Sequence, residues 1–329
     1  MKIHFVDQMW LGPETKKIEE DAFTKAGMDI EFHDWSSEDE IIEGARDADA
    51  VLVVAVPMSR RVIESLPKLK FIGRCGIGYD SVDLKAATEN GVVVCNVPDY
   101  CAYEVATQSF LFALALKKQF MAFLERGRCG GYGQGEGHIV HRLSDQVFGQ
   151  IGFGRIAREQ AAMVRGMGMK MLVYDPYLKE INQDGIELCD SLEEVLSNSD
   201  IVSINTILNE ETYHMITMKE LKLMKSDAII VNVSRGAIID TKDLITALNE
   251  GIIAGAGLDV IEGEPLAAND PVLDTPNLLY TPHISMYSEE SMLDMHKKLS
   301  SQALDVLAGK WTRNIVNPDV KNTREWSET

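Results

Sequence analysis

Three short stretches late in the chain carry residue types that can move a proton beside a bound anion. They are Asn232-Val233-Ser234-Arg235-Gly236, Leu258-Asp259-Val260-Ile261-Glu262-Gly263-Glu264-Pro265 and Thr281-Pro282-His283-Ile284-Ser285. An arginine such as Arg235 offers a planar fork that clamps a carboxylate and polarises an adjacent carbonyl. A histidine such as His283 exchanges a proton near neutral pH, and a carboxylate from Glu262 or Glu264 would stabilise its charged form. Each residue also has a bland reading: a satisfied loop histidine, a surface ion-pair arginine, a solvated acidic loop.

Upstream lies Gly152-Phe153-Gly154-Arg155-Ile156-Ala157, directly after an apolar run and at the start of a helical pattern. There the first glycine allows a tight turn, the second lets backbone approach a pyrophosphate, and the small Ala157 permits close helix–strand packing. The helix start adds free N–H groups and partial positive charge. Asp175 ends the next strand, twenty-one residues beyond Gly154. An acid at that place accepts bonds from the ribose hydroxyls and repels a 2′-phosphate, which favours NAD over NADP; alone, it could equally be a turn former before Pro176. Reduction of a keto acid needs a proton donor, a cation for the carboxylate and a nicotinamide beside both. The motifs together supply this set.

Two alternations of short β-branched runs and helical stretches must position these residues, the signature of parallel sheets covered by helices. The first has strands near 3–6, 50–54, 71–73 and 92–95, with helices over 13–26 and 84–89. The second has six strands, over 148–151, 171–174, 201–204, 228–231, 255–258 and 278–280. All six are apolar, as in a doubly wound sheet buried on both faces. Between the alternations one long apolar helix is expected over about 103–123, buried between domains or in a subunit interface. After it, Gly130, Gly131, Gly133, Gly135 and Gly137 mark a flexible loop; His138 and His141 beside it either touch substrate or belong to a linker, the preferred reading. A last amphipathic helix over 288–307 returns to the first domain. The expected architecture is α/β: two Rossmann-like doubly wound parallel-sheet domains, the nucleotide domain (102–285) inserted into a flavodoxin-like substrate domain (1–101 and 286–329).

Composition narrows the partners. With 329 residues two domains are expected. A net charge of −19, from 51 acidic and 32 basic residues, argues against nucleic acid or an anionic membrane surface. Cys75, Cys95, Cys101, Cys129 and Cys189 are scattered without C-x-x-C spacing, so neither disulfides nor a metal is expected. Residues 1–7 read as a strand rather than a signal peptide, and no apolar run approaches the ~20 residues of a membrane span. A soluble, cytoplasmic protein is expected.

Together with Arg74-Cys75-Gly76-Ile77-Gly78-Tyr79-Asp80-Ser81-Val82-Asp83-Leu84, Asn96-Val97-Pro98 and Ile315-Val316-Asn317-Pro318, these motifs make the chain resemble the D-isomer-specific 2-hydroxyacid dehydrogenases over nearly its whole length. Val97-Pro98-Asp99-Tyr100-Cys101, His141-Arg142-Leu143 and the stretch after His283 look closest to the branch that includes the C-terminal-binding-protein co-repressors. The resemblance implies that His283 is the acid/base, Glu264 rather than Glu262 its partner because it precedes Pro265, and Arg235 the carboxylate and keto-oxygen ligand. It places Asp259 on the nicotinamide carboxamide, Arg155 and Ile156 on the pyrophosphate and Val233 by the nicotinamide ribose, with Thr206, Ser234 and Met286 also on the cofactor. Gly76, Ile77 and Gly78 would cradle the substrate carboxylate. It also implies a cleft that closes on substrate and a homodimer built on the helix near 104–116.

The chain departs from the family at two places. Asn205 and Ile207 stand where many members have His and Pro, yet Asn205 can still bond a ribose or adenine edge; Met286 replaces an aromatic and softens the wall beside the acid/base. The expected function is an NAD-dependent 2-ketoacid reductase. Two rivals are an NADH-sensing regulator without meaningful turnover and a phosphoglycerate dehydrogenase, for which Arg60 and Arg61 would bind the phosphate.

Overall fold

In a computed structural model of the chain, residues 1–135, 137–323 and 326 are described. Residue 136 of the glycine-rich loop, and residues 324, 325 and 327–329 of the expected first domain, lie outside the described residues. The elements run in order: β1 (Lys2–Phe5), α1 (Pro13–Lys25), β2 (Asp29–Phe32), α2 (Glu38–Gly44), β3 (Ala50–Val53), α3 (Arg60–Ser65), β4 (Phe71–Arg74), α4 (Leu84–Glu89) and β5 (Val93–Cys95). There follow α5 (Ala102–Lys117), α6 (Phe120–Arg128), β6 (Val147–Ile151), α7 (Arg155–Gly166), β7 (Lys170–Tyr174), β8 (Ile186–Leu188), α8 (Leu192–Asn198) and β9 (Ile201–Ile204). The chain continues with α9 (Met218–Leu221), β10 (Ile229–Asn232), α10 (Thr241–Asn249), β11 (Gly255–Leu258), β12 (Leu278–Tyr280) and α11 (Glu289–Leu307). They divide into two units, Met1–Cys101 with Tyr287–Thr329, and Ala102–Met286.

The first unit is a five-stranded parallel sheet in the order β2-β1-β3-β4-β5, the flavodoxin-like arrangement. β3 and β5 are buried throughout and β4 in all but Arg74, as strands covered on both faces must be. On one face α11 packs against α1 around a polar pin: His296 Nδ1 lies 2.8 Å from Glu19 Oε1, and Ser300 donates to the other carboxylate oxygen, all three side chains buried. The C-terminal motif closes the sheet edge. Buried Asn317 accepts from Val94 N–H at 2.9 Å and donates to the Val92 carbonyl at 2.9 Å, so a side chain extends the ladder that β5 leaves open. Sequence reading missed β2, whose alternating exposed and half-buried Asp29-Ile30-Glu31-Phe32 is the pattern of an edge strand.

The second unit is a seven-stranded parallel sheet in the order β12-β11-β10-β9-β6-β7-β8. Counted from its own first strand this is the dinucleotide-fold order, extended by one strand, with the reversal of direction between β6 and β9. The six expected strands are present, and the unexpected seventh, β8, is again a short edge strand with an exposed glutamate. The single helix expected over 103–123 is a correction. It is two helices, broken at Gln119, which takes a left-handed conformation (φ 49°). The break is held from outside: Gln119 donates to the Ile139 carbonyl and meets His138 Nδ1 at 2.6 Å, while the nearly buried Lys117 donates to the Asp227 carbonyl. Nor is α5 buried all round. Val105, Ala106, Ser109, Phe112 and Ala113 face the sheet and α7, whereas Tyr103 and Leu111 are exposed. Among the described residues no helix is long and apolar enough to cross a membrane.

Candidate active site

The carboxyl ends of neighbouring strands β10, β11 and β12 carry Arg235, Asp259 with Glu264, and His283, respectively. In an open α/β sheet that edge is where ligands sit. His283 Nδ1 is 2.8 Å from Glu264 Oε1, and the second carboxylate oxygen of Glu264 accepts from Ile261 N–H at 3.2 Å. With Nδ1 committed to Glu264, Nε2 is the nitrogen left to exchange a proton, on a side chain that is 45% exposed. His283 itself is left-handed (φ 55°), a conformation non-glycine residues keep only where their surroundings over-determine it.

Those surroundings centre on Asp259, which is 1% exposed. Its Oδ1 accepts from Thr281 Oγ1 at 2.6 Å and Ile284 N–H at 2.9 Å, its Oδ2 from Ser285 N–H at 2.9 Å, and its carbonyl from His283 N–H at 2.8 Å. Three of the roughly four acceptor positions of the carboxylate are thus occupied by the loop that carries the histidine. Gln108 of α5 braces the same loop by donating to Thr281 Oγ1 at 3.2 Å. Burial, followed by the carboxylates of Glu264 and Asp259, raises the pKa of Tyr280 on β12.

Glu262, the other acid of the loop, faces elsewhere. It meets His214 Nε2 at 2.7 Å and accepts from Thr241 N–H at 2.9 Å. Burial alone would raise its pKa, but the bonds from His214 and Thr241 outweigh that and hold it below the usual carboxylate value. Glu264 and Glu262 are therefore divided between two histidines. Gly236 lets the Arg235 loop pass directly over this segment: a Cβ at Gly236 would lie 2.1 Å from the Ile261 carbonyl carbon. The loop is shaped further by Asn232, which donates to the Arg235 carbonyl at 2.9 Å and accepts from Ser234 N–H at 3.0 Å. Ser234 Oγ is occupied by the Ile204 carbonyl.

The residues expected to hold NAD gather at the switch point and along the same sheet edge. Gly152 follows β6 at φ 82°, and a Cβ there would stand 2.5 Å from the Asn205 carbonyl oxygen. Gly154 caps α7 with no side-chain hydrogen bond, and nothing lies within 4 Å of where its Cβ would be. Exposed Arg155 and half-buried Ile156 form the first turn of α7 over fully buried Ala157. The open glycine and uncapped helix start fit a pyrophosphate. Asp175 acts as the turn former weighed for it, Oδ1 accepting from Tyr177 N–H at 3.0 Å, and its Oδ2 accepts from Phe153 N–H in the glycine loop at 2.9 Å. Thr206 follows β9, Val233 is nearly buried after β10, and Met286 follows β12.

Asn205 turns its amide nitrogen inward, donating to Gln160 Oε1 at 3.0 Å and Ser203 Oγ at 3.2 Å. The reason is a buried polar network, which sequence reading did not see, joining Ser109 of α5, Gln160 of α7 and Ser203 of β9 beneath the glycine loop. Its only signal was three polar residues inside otherwise apolar runs. Buried groups of this kind require partners, and Asn205 supplies one.

In the first unit, Gly76 adopts φ 143°, and its carbonyl accepts from Val97 N–H at 2.9 Å; the Ile77 carbonyl accepts from Asn96 Nδ2 at 2.6 Å. This shapes the Gly76-Ile77-Gly78 turn through the Asn96-Val97-Pro98 motif. Arg60 is surrounded by Glu64, Glu89 and Asp83 at 3.0, 2.7 and 4.0 Å, and Arg61 pairs with Asp39 and Glu38.

Comparison with known proteins agrees with this arrangement. Residues 110–285 match the family model for the D-isomer specific 2-hydroxyacid dehydrogenase NAD binding domain. A glyoxylate reductase from Korarchaeum cryptofilum is 34% identical over 322 residues, 94% of this chain and 96% of that one. A D-3-phosphoglycerate dehydrogenase from Methanocaldococcus jannaschii is 36% identical over 88% of this chain and 55% of its own length. The NAD-complexed D-isomer specific 2-hydroxyacid dehydrogenase of Lactobacillus delbrueckii ssp. bulgaricus superposes with a TM-score of 0.80 at 27% identity, over 96% of this chain and all of that one. Sequence and structure agree that the chain belongs to the D-isomer specific 2-hydroxyacid dehydrogenase family, NAD-dependent oxidoreductases acting on the CH–OH group of 2-hydroxy acids.

Proposed function

We propose that the protein reduces a small 2-keto acid to the D-2-hydroxy acid, with His283 as acid/base, Glu264 as its carboxylate partner and Arg235 as the substrate-carboxylate ligand. The observation that carries this reading is the His283–Glu264 bond of 2.8 Å on a loop pinned by Asp259, on the strand beyond β11 and two from Arg235. Gly152, Gly154 and Asp175 would hold the nicotinamide cofactor, which as NADH would supply the hydride for reduction and as NAD⁺ would accept it in the reverse direction. His283 delivers a proton from Nε2 to the keto oxygen, and Glu264 fixes the tautomer and steadies the charged ring. Arg235 holds the carboxylate and offsets the negative charge that develops on the oxygen. In this reading Asp259 places the His283 loop and keeps one acceptor position for the nicotinamide carboxamide, and the Gly76–Gly78 backbone is a further substrate ligand.

A small substrate, with glyoxylate first, is supported by the glyoxylate reductases among the relatives. A phosphorylated acid is less well supported, because Arg60 and Arg61 already face carboxylates. The free thiols of all five cysteines suit a reducing cytoplasm, and the exposed Tyr103 and Leu111 of α5 suit a homodimer interface, which light scattering after gel filtration tests.

The deciding experiment mixes the protein with NADH and glyoxylate, hydroxypyruvate, pyruvate, 2-ketoisocaproate, phenylpyruvate or phosphohydroxypyruvate, and follows NADH absorbance. Turnover is expected to be best on the smallest acids and to fall by about 10²–10⁴ in His283→Ala. Tight NADH binding without turnover on any acid would replace this reading with a sensor, and a preference for phosphohydroxypyruvate would replace it with a phosphoglycerate dehydrogenase.

A further inference from the structure

At the edge of the first unit three ligand-type side chains meet. His4 on β1 and Glu31 on β2 are register partners in the parallel ladder, and His33 follows β2 by one residue. His4 Nδ1 and His33 Nε2 are 3.0 Å apart, His33 Nε2 is 3.7 Å from Glu31 Oε2, and one donor atom from each of the three lies within 4.8 Å of the others. The rings are held in place. His33 stacks flat on Trp35 at 3.9 Å between centroids and 4°, and His4 lies 5.1 Å from His33. Trp35 in turn is wedged against Gly44, where a Cβ would come within 2.2 Å of the indole.

His4 presents Nδ1 to His33, while its buried Nε2 makes no hydrogen bond and lies 3.4 Å from Asp47 Oδ1. In a metal-bound histidine one nitrogen is on the ion and the other N–H faces a carboxylate, and Asp47 is near enough to take that second place once the ring is fixed by a metal. Two zinc–nitrogen bonds of about 2.0–2.1 Å at a tetrahedral angle separate their donors by roughly 3.3 Å, so the rings need part by only about 0.3 Å.

We propose that His4 Nδ1, His33 Nε2 and Glu31 form a binding site for a zinc-type divalent transition metal that clamps β2 to β1. On binding, each ring turns a lone pair to the metal from the nitrogen nearest it and carries its hydrogen on the other, and the N···N contact gives way to two metal–nitrogen bonds. Water takes the fourth position, since Glu31 is half exposed. The nearest competitor is the Lys2 ammonium, 3.3 Å from Glu31 and 2.8 Å from Asp47 on a side chain that is 40% exposed and able to swing away. The expectation that no metal binds rested on cysteine spacing; these ligands are 29 residues apart and meet only because β1 and β2 pair in this register.

The test uses tag-free full-length protein. Zn²⁺ is titrated against a chromophoric chelator, Co²⁺ is added to read coordination geometry from its visible spectrum, and Cu²⁺ quenching of tryptophan fluorescence reads proximity to Trp35. One tight Zn²⁺ equivalent and a tetrahedral Co²⁺ spectrum are expected. His33→Phe keeps the stack on Trp35 and should remove that equivalent. Glu31→Gln, on an exposed side chain, and Asp47→Asn should each weaken it by about 10–100-fold. Lys2→Met should tighten it, and ketoacid turnover should stay the same in all four variants. Absence of tight Zn²⁺ in the unaltered protein, or a site equally tight in folded His33→Phe and Glu31→Gln, would overturn the proposal.

Discussion

Asp259→Asn is the sharpest test of how the fold holds the histidine loop. The replacement is nearly isosteric, but it turns an N–H onto a donor that now meets a carboxylate oxygen: Ser285 N–H if the amide oxygen stays with Thr281 and Ile284. Ser285 is 5% exposed, so the orphaned N–H is poorly hydrated and costs about 1–3 kcal/mol. The two remaining bonds lose their ionic character, about 1 kcal/mol each. The sum is about 3–5 kcal/mol, which for a unit of this size lowers its melting midpoint by roughly 6–20 °C. The function should suffer more. His283 keeps φ 55° because its flanking N–H groups are tied to Asp259, and a misplacement near 1 Å costs on the order of 10² in rate. Calorimetry gives the first number and NADH oxidation with saturating keto acid the second. A variant with an unchanged midpoint and unchanged kcat would refute the argument, whereas a lowered midpoint with intact kcat would separate stability from positioning.

Two further predictions concern the same sheet edge. Gly236→Ala should depress kcat/KM for keto acid while sparing NADH binding, because its methyl must push the Arg235 loop off the Ile261–Glu262 backbone; wild-type kinetics with the alanine in place would contradict that contact. The depressed pKa of Glu262 fixes the sign of an acid effect. Its contribution is fully present above the ordinary carboxylate value of 4.5 and is lost as pH falls through the lower folded value, so Glu262→Gln should flatten the decline of stability below pH 4.5, and urea titrations at several pH values with parallel declines would count against it.

Much was legible because it is local. A glycine that must turn, a small residue that must pack and an acid one strand later are all written within the stretch from Gly152 to Asp175. The buried strands declared themselves as apolar runs, and Ser288 marked the start of α11 with a cap. The edge strands β2 and β8 did not, because a strand with one free side needs no continuous apolar face. The helix break at Gln119 was hidden for another reason: its partners, Ile139 and His138, arrive from twenty residues on.

By itself, then, the sequence determined the two parallel sheets, the dinucleotide turn and the set of residues at strand ends, since periodicity and turn chemistry act between near neighbours. Only the tertiary structure decided how those residues are used. It gave Glu264 to His283 and Glu262 to His214, turned Asn205 toward Gln160, surrounded Arg60 and Arg61 with acids, and brought His4 against His33. Each outcome depends on which strands lie side by side and in what register, and on which buried polar atoms still need a partner once they do.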